Sequence, residues 1–416
     1  MGHKKLDLTD PSNEYPNFLK SLGNVQKTST NENSHPVLIK MQNKESVSVL
    51  EDLVKRNPNL NIIDNYSEQY AELLLSQNAH LYRANYEVQV ASIKELLDEH
   101  YGDKAAWKLG TWVYFPWKNQ LIHILEQKDF EDLRTIRNRD LITSDEQKTL
   151  FDFECVTFGM SVGSAGALAL GISGISRRAK LVDGAVISGS NLNRILTGVS
   201  SVGLGKAHII GRQIYEMNPY STINYYDKAG VDNIQDIFEE PWKVNAVIDE
   251  IDDIEMKVRI RYEARKRKIP VIMATELGDT VMLDVERYDL EPDRALFHGA
   301  VPSIENLLDQ KLENYREWTK HAVRIIDPIN MPLKMQKSLL KIGTTIVTHP
   351  QLGSTVMLTG GIIAFAVKSI ALGNPLNSGR YVISLEGELL ADHKTRQYRR
   401  HHKKHTKVIH RSINSM

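Results

Sequence analysis

Between residues 151 and 290 the chain alternates short apolar runs with amphipathic stretches. The apolar runs are FECVTFG, AKLVD, TINYYD, VNAVIDEI, IPVIMATE and VMLDVERYD. Helical spacing of apolar residues occupies 163–175, 205–217, 231–239 and 255–267, between the first five runs. Repeated strand–helix alternation predicts an α/β fold: a Rossmann-like, mainly parallel sheet with helices on both faces. Residues 36–105 mix short apolar runs (PVLIKM, NLNIID) with helical patterns (SEQYAELLLSQ, ASIKELLDEH), and the aromatic TWVYFPW follows as packing material. A small N-terminal α+β or helical accessory unit over 36–133 is expected, then a main domain over 134–390 whose last part, 291–390, reads as helical, with GRYVISLEGELL as one strand. Polar residues 1–35 read as a mobile N-terminus. Residues 391–416 read as a basic tail, with eight Lys or Arg and five His between 393 and 411, and a solvated terminus is expected there rather than a nucleic-acid surface.

Ile342 to Val367 carries no Asp, Glu, Lys or Arg. His349-Pro350 and several threonines interrupt it, so a buried core helix beginning after Pro350 is expected and not a membrane span. Lys plus Arg equal Asp plus Glu at 52 each, which removes a global electrostatic case for nucleic acid or membrane partners. The first residues hold no apolar leader, and a cytoplasmic location is the expectation. Cys155 is the single cysteine and lies within an apolar run, which excludes a four-cysteine zinc site and reads as a core residue.

The chemistry concentrates at 153–194. An apolar strand runs into Gly159-Met160-Ser161-Val162-Gly163-Ser164, a small-residue helix follows, and a second strand ends in Asp183, 24 positions after Gly159. That order suits a nucleotide: small residues let the backbone approach phosphate, a helix N-terminus offers N–H donors, and the acid meets a ribose. Asn191 and Arg194 follow in SNLNR, then Lys206 in GLGK.

These blocks, with RNRD at 137–140, EMNP at 216–219, VIDEIDD at 247–253 and IPVIMA at 269–274, come in an order that resembles the ThiF-type adenylyltransferases, the superfamily of ubiquitin-activating enzymes and activators of sulfur-carrier proteins. The resemblance covers about residues 134–290. GMSVGS and DVERYDLEPDRALFHG further resemble ThiF-type proteins sometimes fused to a nitroreductase-like domain, and no such domain is recognisable in this sequence.

The resemblance implies ATP- and Mg²⁺-dependent adenylation of a carboxylate: a peptide or ubiquitin-like carrier C-terminus, or a small acid. It implies that Gly159, Ser161 and Gly163 line the phosphate turn, although the family pattern GxGGxG has become GMSVGS. Asp183 and Asn191 would bind the nucleotide, and Arg194 and Lys206 its phosphates. Asp252 would hold Mg²⁺, with Asp249 and Asp253 as alternatives. Arg139, or Arg137, would reach across a homodimer into the partner's site. A cysteine after the nucleotide fold is lacking, so the reaction would stop at the adenylate or pass it to an external nucleophile. A catalytically silent ThiF-type partner and a nicotinamide-dependent oxidoreductase are the competing readings.

Overall fold

The computed structural model describes residues 33–41, 44–310, 312 and 314–414. The expected mobile N-terminus lies outside them except at its end, and there the expectation fails. Ser34 is buried, with its hydroxyl held by His208 and Arg212 and its carbonyl by Tyr225.

The N-terminal unit is α+β. Strands β1 (Val37–Lys40), β2 (Asn61–Asp64), β3 (Thr111–Phe115) and β4 (Gln120–Ile124) form a sheet in the order β1-β3-β4-β2. Helices α1 (Lys44–Arg56), α2 (Tyr66–Gln77), α3 (Tyr86–Tyr101) and α4 (Gln127–Arg134) accompany it. TWVYFPW does pack: Val113, Phe115 and Ile124 share a buried cluster with Met160 and Leu181 of the main domain. The Trp117 indole donates to Glu216 at 2.6 Å, tying the two units further.

Helix α5 (Ser144–Phe151), opened by a Thr143–Glu146 capping box, leads into the main domain. Its elements follow as β5 (Cys155–Phe158), α6 (Gly163–Ser173), β6 (Arg178–Val182), α7 (Lys206–Met217), β7 (Thr222–Tyr226), α8 (Ile234–Glu239), β8 (Ala246–Asp249), α9 (Ile254–Lys266), β9 (Val271–Glu276) and β10 (Thr280–Glu286). Then come α10 (Tyr315–Ile326), α11 (Leu333–Leu339), α12 (Gly353–Ala371), β11 (Gly379–Ser384), α13 (Leu385–Leu389) and α14 (Arg396–Asn414). The seven-stranded sheet runs β11-β10-β9-β8-β5-β6-β7. The strands from β9 to β7 in that order are parallel, while β10 and β11 are antiparallel. Order reverses between β5 and β8, the position where doubly wound sheets open a crevice at the strand C-termini.

The uncharged stretch becomes α12, which packs on α6 and the sheet. A side chain at Gly360 would meet the Ala165 carbonyl at 2.5 Å, so the two helices touch backbone to backbone. Thr355 and Thr359 are fully buried; Thr355 donates to the Gly278 carbonyl and Thr359 to that of Thr355. By length and composition α12 could cross a membrane, but 56% of its apolar window is buried inside the protein.

Two stretches differ from expectation. Only GRYVIS is strand; the LEGEL that follows turns into α13, its first turn capped by Ser384. The basic tail is a docked helix, α14. Its Thr406 receives a hydrogen bond from Gln336 at 2.9 Å, and Ile409 is buried against Val323. Amphipathic spacing made the tail helical once α11 offered a face to cover.

A buried charge network fixes the region after β8. Arg261 of α9 is fully buried, donates to Asp249 and Glu286, and lies over the Phe297 ring at 3.9 Å. Lys257 also reaches Asp249. Tyr288 and the Phe297 N–H complete Glu286, while His298 and Arg380 complete Asp284. Burial alone would raise the Asp249 carboxyl; Lys257 and Arg261 outweigh it and hold it below the usual range. Removing one partner of a buried ion pair costs about 3–5 kcal/mol. Arg261→Ala is therefore expected to lose that much in guanidinium denaturation, and a variant within 1 kcal/mol of wild type, on the order of a surface substitution, would refute the network's role.

Candidate functional site

Gly159 ends β5 with φ at +85°, a conformation that favours glycine. A Cβ there would meet the Glu250 carbonyl at 2.4 Å. Its N–H donates to the Val182 carbonyl at 2.8 Å, and Glu250 N–H donates to Phe158 at 2.8 Å, so the turn is stitched to both neighbouring strands. Gly163 opens α6, where a Cβ would press on Thr157 at 3.0 Å. No side chain caps the α6 N-terminus. Its first N–H groups therefore face the crevice without a side-chain partner, as an anion site requires.

Asp183 follows β6. Its carboxylate accepts from Met160 N–H and Ala185 N–H, each at 2.7 Å, bridging the Gly-rich turn to the next loop. An ionised carboxylate has about four acceptor positions, so two remain for a ribose. The 183–187 segment pairs with 203–206: Ile187 N–H donates to Leu204, Gly203 N–H to Ile187 and Lys206 N–H to Ala185. This pairing starts α7 at Lys206 and sets that residue beside the Asp183 loop.

Asn191 is buried and accepts from Ser188 N–H at 3.0 Å, closing the SNLNR turn. That turn aims Arg194, whose Nε donates to Ser161 Oγ at 3.2 Å and whose Nη1 donates to Ser190 and Asn193, each at 2.9 Å. Ser161 thus accepts from Arg194 and keeps its own hydroxyl hydrogen free to donate.

The three acids after β8 divide cleanly. Asp249 is consumed by Arg261 and Lys257. Asp253 caps α9, accepting from Met256 N–H at 2.9 Å. Asp252 is left, exposed, with only its main-chain carbonyl engaged, by Trp318. No group of three or more His, Cys, Asp or Glu side chains suited to a metal ion occurs among the described residues. Mg²⁺ is commonly held by one or two carboxylates plus phosphate oxygens, and Asp252 fits that donor set.

Gly159, Ser161, Gly163, Asp183, Asn191, Arg194, Lys206 and Asp252 therefore lie along the C-terminal edge of β5, β6 and β8. Arg139 does not join them. It is exposed beyond the turn at Ile136–Asn138, in the region where Asn138 bonds Gln147 and Gln147 bonds Gly174. Gly174 caps the far end of α6, a helix about 16 Å long at 1.5 Å per residue. Arg137 is likewise exposed there.

Residues not anticipated from sequence complete the crevice. Glu276 ends β9 and is only 5% exposed, with neither carboxylate oxygen hydrogen-bonded. The Gln351 side chain is its polar neighbour. Burial pushes its carboxyl up to about 7, which Gln351 and the Arg194 charge partly offset and Asp252 reinforces. The segment before α12 crosses over this edge: Asn193 Nδ2 donates to the Gln351 carbonyl at 3.0 Å. It brings in His349, whose imidazole is held below its usual pKa by burial, against the pull of Asp252 and with the help of Arg194. Glu250 is part exposed as a residue, but its carboxyl turns inward to accept Ala274 N–H at 2.7 Å, and burial raises it well above the usual range. A strand-end acid in IPVIMATE was the available signal for Glu276. His349 and Gln351 sit in an irregular loop and gave none.

The ThiF family profile matches residues 134–405 of this chain. The chain belongs to the ThiF family. The site is thus that of a ThiF-family protein with a nucleotide-binding, Rossmann-like fold, and membership supports adenylation chemistry in general. A curated relative, an uncharacterised protein (MT1398) of Mycobacterium tuberculosis, strain CDC 1551 / Oshkosh, is 30% identical over 355 residues, covering 85% of this chain and 46% of the relative. The chain therefore spans about half the length of that protein. Among solved structures, PaaA is similar at 19% identity and a TM-score of 0.45 over 62% of this chain and 79% of its own. E. coli MccB with ATP is similar at 16% and 0.40 over 58% and 63%. E. coli TcdA, a tRNA N6-threonylcarbamoyladenosine dehydratase, is similar at 17% and 0.40 over 58% and 95%.

Cys155 is 1% exposed, and burial pushes its thiol up to about 12, which keeps it protonated in the core. Glu276 yields a pH test. Its folded pKa lies above the unfolded value, so the native state binds the extra proton, and stability falls as pH rises from about 4 to about 7. Glu276→Gln removes this penalty. Relative to wild type it is expected to gain roughly 2–4 kcal/mol at pH 8 and little below pH 4, measured by urea denaturation across pH. A gain that does not depend on pH would refute the assignment.

Proposed function

We propose that the chain catalyses ATP-dependent adenylation of a carboxylate. The observation that carries this reading is the convergence of an uncapped helix N-terminus, Asp183, Arg194, Lys206 and a free Asp252 on one strand edge. Hydride transfer needs no such phosphate clamp, and a silent partner has no use for a carboxylate left free beside it. In the reaction a carboxylate oxygen attacks the α-phosphorus of ATP. The bond from that phosphorus to its bridging oxygen breaks, pyrophosphate leaves with the electron pair, and an acyl adenylate forms.

Asp183 orients the ribose while its main-chain bonds hold the Gly-rich turn in place. The α6 N–H groups and the Ser161 hydroxyl take phosphate oxygens, with Gly159 allowing the close approach. Arg194, pre-set by Ser161, Ser190 and Asn193, offers the rest of its guanidinium fork to the phosphates. Lys206 adds a second positive charge. Asp252 would hold Mg²⁺, which when bound supplies positive charge to the phosphate oxygens. With Cys155 buried, the adenylate goes to a nucleophile from outside this chain. Arg139 acts in trans: a homodimer brings one protomer's arginine to its partner's site.

ATP–pyrophosphate exchange with a panel of carboxylates tests the activity. Removal of one charge-stabilising group typically costs about 10²–10³ in rate, and losses of that size are expected for Arg194→Ala and Asp252→Ala. A wild-type protein that binds no ATP would overturn the reading. Mixing the Arg139→Ala and Asp252→Ala variants tests the trans role, since mixed dimers carry one intact site. Exchange should reappear on mixing; continued inactivity of a mixture shown to have exchanged subunits would refute it.

A further inference from the structure

Glu276 is not among the residues assigned to ATP in the reading above. It is nine-tenths buried, both oxygens lack hydrogen bonds, and it lies at the strand edge where the Asp252 carboxylate already places negative charge. Among the described residues the cation that acts on it is Arg194, which donates to Ser161, Ser190 and Asn193 and not to Glu276. Lys257 is drawn away to Asp249. A buried carboxylate without a counter-ion carries a desolvation cost that the fold leaves standing. Two buried, unsatisfied oxygens behind the strand edge are therefore a place for a cation that arrives with a ligand.

ATP and pyrophosphate are anions and would be repelled there. Mg²⁺ is taken by the exposed Asp252 in the reading above. The reactant that must meet the phosphate side of the crevice is the carboxylic acid. Resting on the adenylation reading above, we infer that Glu276 is the ammonium-binding subsite of the acid substrate, which is an amino acid or another acid with a protonated amine close to its carboxyl group. The carboxylate end approaches the phosphate side of Asp252 and Arg194, and the ammonium is drawn to Glu276. The Gln351 amide and the neutral His349 imidazole border the same space without adding charge. Pairing with the ammonium converts an uncompensated carboxylate into one member of an ion pair, so the binding energy is realised only with the amine present. Glu276 is a specificity residue here, with no proton or bond transferred to it.

Its pKa of about 7 adds a signature. The free enzyme is ready for an ammonium above that pH and loses its attraction below it, so KM for an amine-bearing substrate should rise as pH falls from 8 to 6.

The test uses the wild-type chain, Glu276→Gln and Arg194→Ala in ATP–pyrophosphate exchange. Paired probes differ only by the amine: L-alanine and propionate, L-phenylalanine and 3-phenylpropionate, L-lysine and 6-aminohexanoate, the last keeping a remote amine. Wild type is expected to prefer an amine-bearing member by at least tenfold in kcat/KM. Glu276→Gln should erase that preference and flatten the pH dependence of KM while ATP binding persists. Arg194→Ala should lower exchange with every acid alike. Equal use of paired acids by wild type, or a preference that survives Glu276→Gln, overturns the subsite and leaves adenylation intact. Loss of ATP binding in Glu276→Gln also overturns it, assigning the residue to the nucleotide instead. ATP binding by the wild type with no exchange for any acid of either kind removes the adenylation reading and this one with it. A defect confined to transfer of a preformed adenylate to an amine would make Glu276 a base for the acceptor and overturn the assignment as well.

Discussion

The approach of Gly159 to the Glu250 carbonyl is the contact on which the pocket depends. A single methyl group at Gly159 would sit 2.4 Å from that oxygen. Because the strand ends meet so closely, β5 can hand its turn to α6 directly beside the exit of β8. The uncapped N-terminus of α6 and the acids after β8 are thereby brought to one crevice. Hydrogen bonds from Gly159 to Val182 and from Glu250 to Phe158 lock the three strand ends in register. The Asp183 carboxylate then ties the turn to the neighbouring loop through two main-chain N–H groups.

Charge is handled in two distinct ways on either side of that contact. Behind it, Asp249 and Glu286 share Arg261, and Asp284 pairs with Arg380, so each of these buried carboxylates has a cationic partner. In front of it, Glu276 has none and Asp252 is exposed. The same length of chain, VIDEIDD, thus contributes an anchor at Asp249, a helix cap at Asp253 and a free carboxylate at Asp252. Strand pleat and helix start assign those roles: Asp249 points into the sheet–helix layer, and Asp253 sits where α9 needs an acceptor.

The C-terminal part serves the same crevice. Helix α12 packs backbone to backbone on α6 through Gly360, and the strap before it carries His349 and Gln351 over the strand ends. Edge strand β11 pairs with β10, and Arg380 on it completes Asp284. DVERYDLEPDRALFHG, which in sequence marks a resemblance, is here the material of the buried network, through Asp284, Glu286, Tyr288, Phe297 and His298.

The sequence by itself determined the alternating α/β architecture, because apolar period and small-residue turns are local properties that survive in any context. It located the candidate nucleotide residues too: Gly159, Asp183, Asn191, Arg194 and Lys206 sit at strand ends and helix starts that short-range pattern marks. Among three acids in one stretch it left Asp252 open against Asp249 and Asp253, since only packing reveals which carboxylates are already paired. Tertiary structure alone decided that the basic tail docks as a helix, because its apolar stripe needed α11 to cover. It alone placed Arg139 away from its own chain's crevice and Glu276 inside it. Burial and the absence of a counter-ion are relations between distant segments, and no spacing along the chain encodes them.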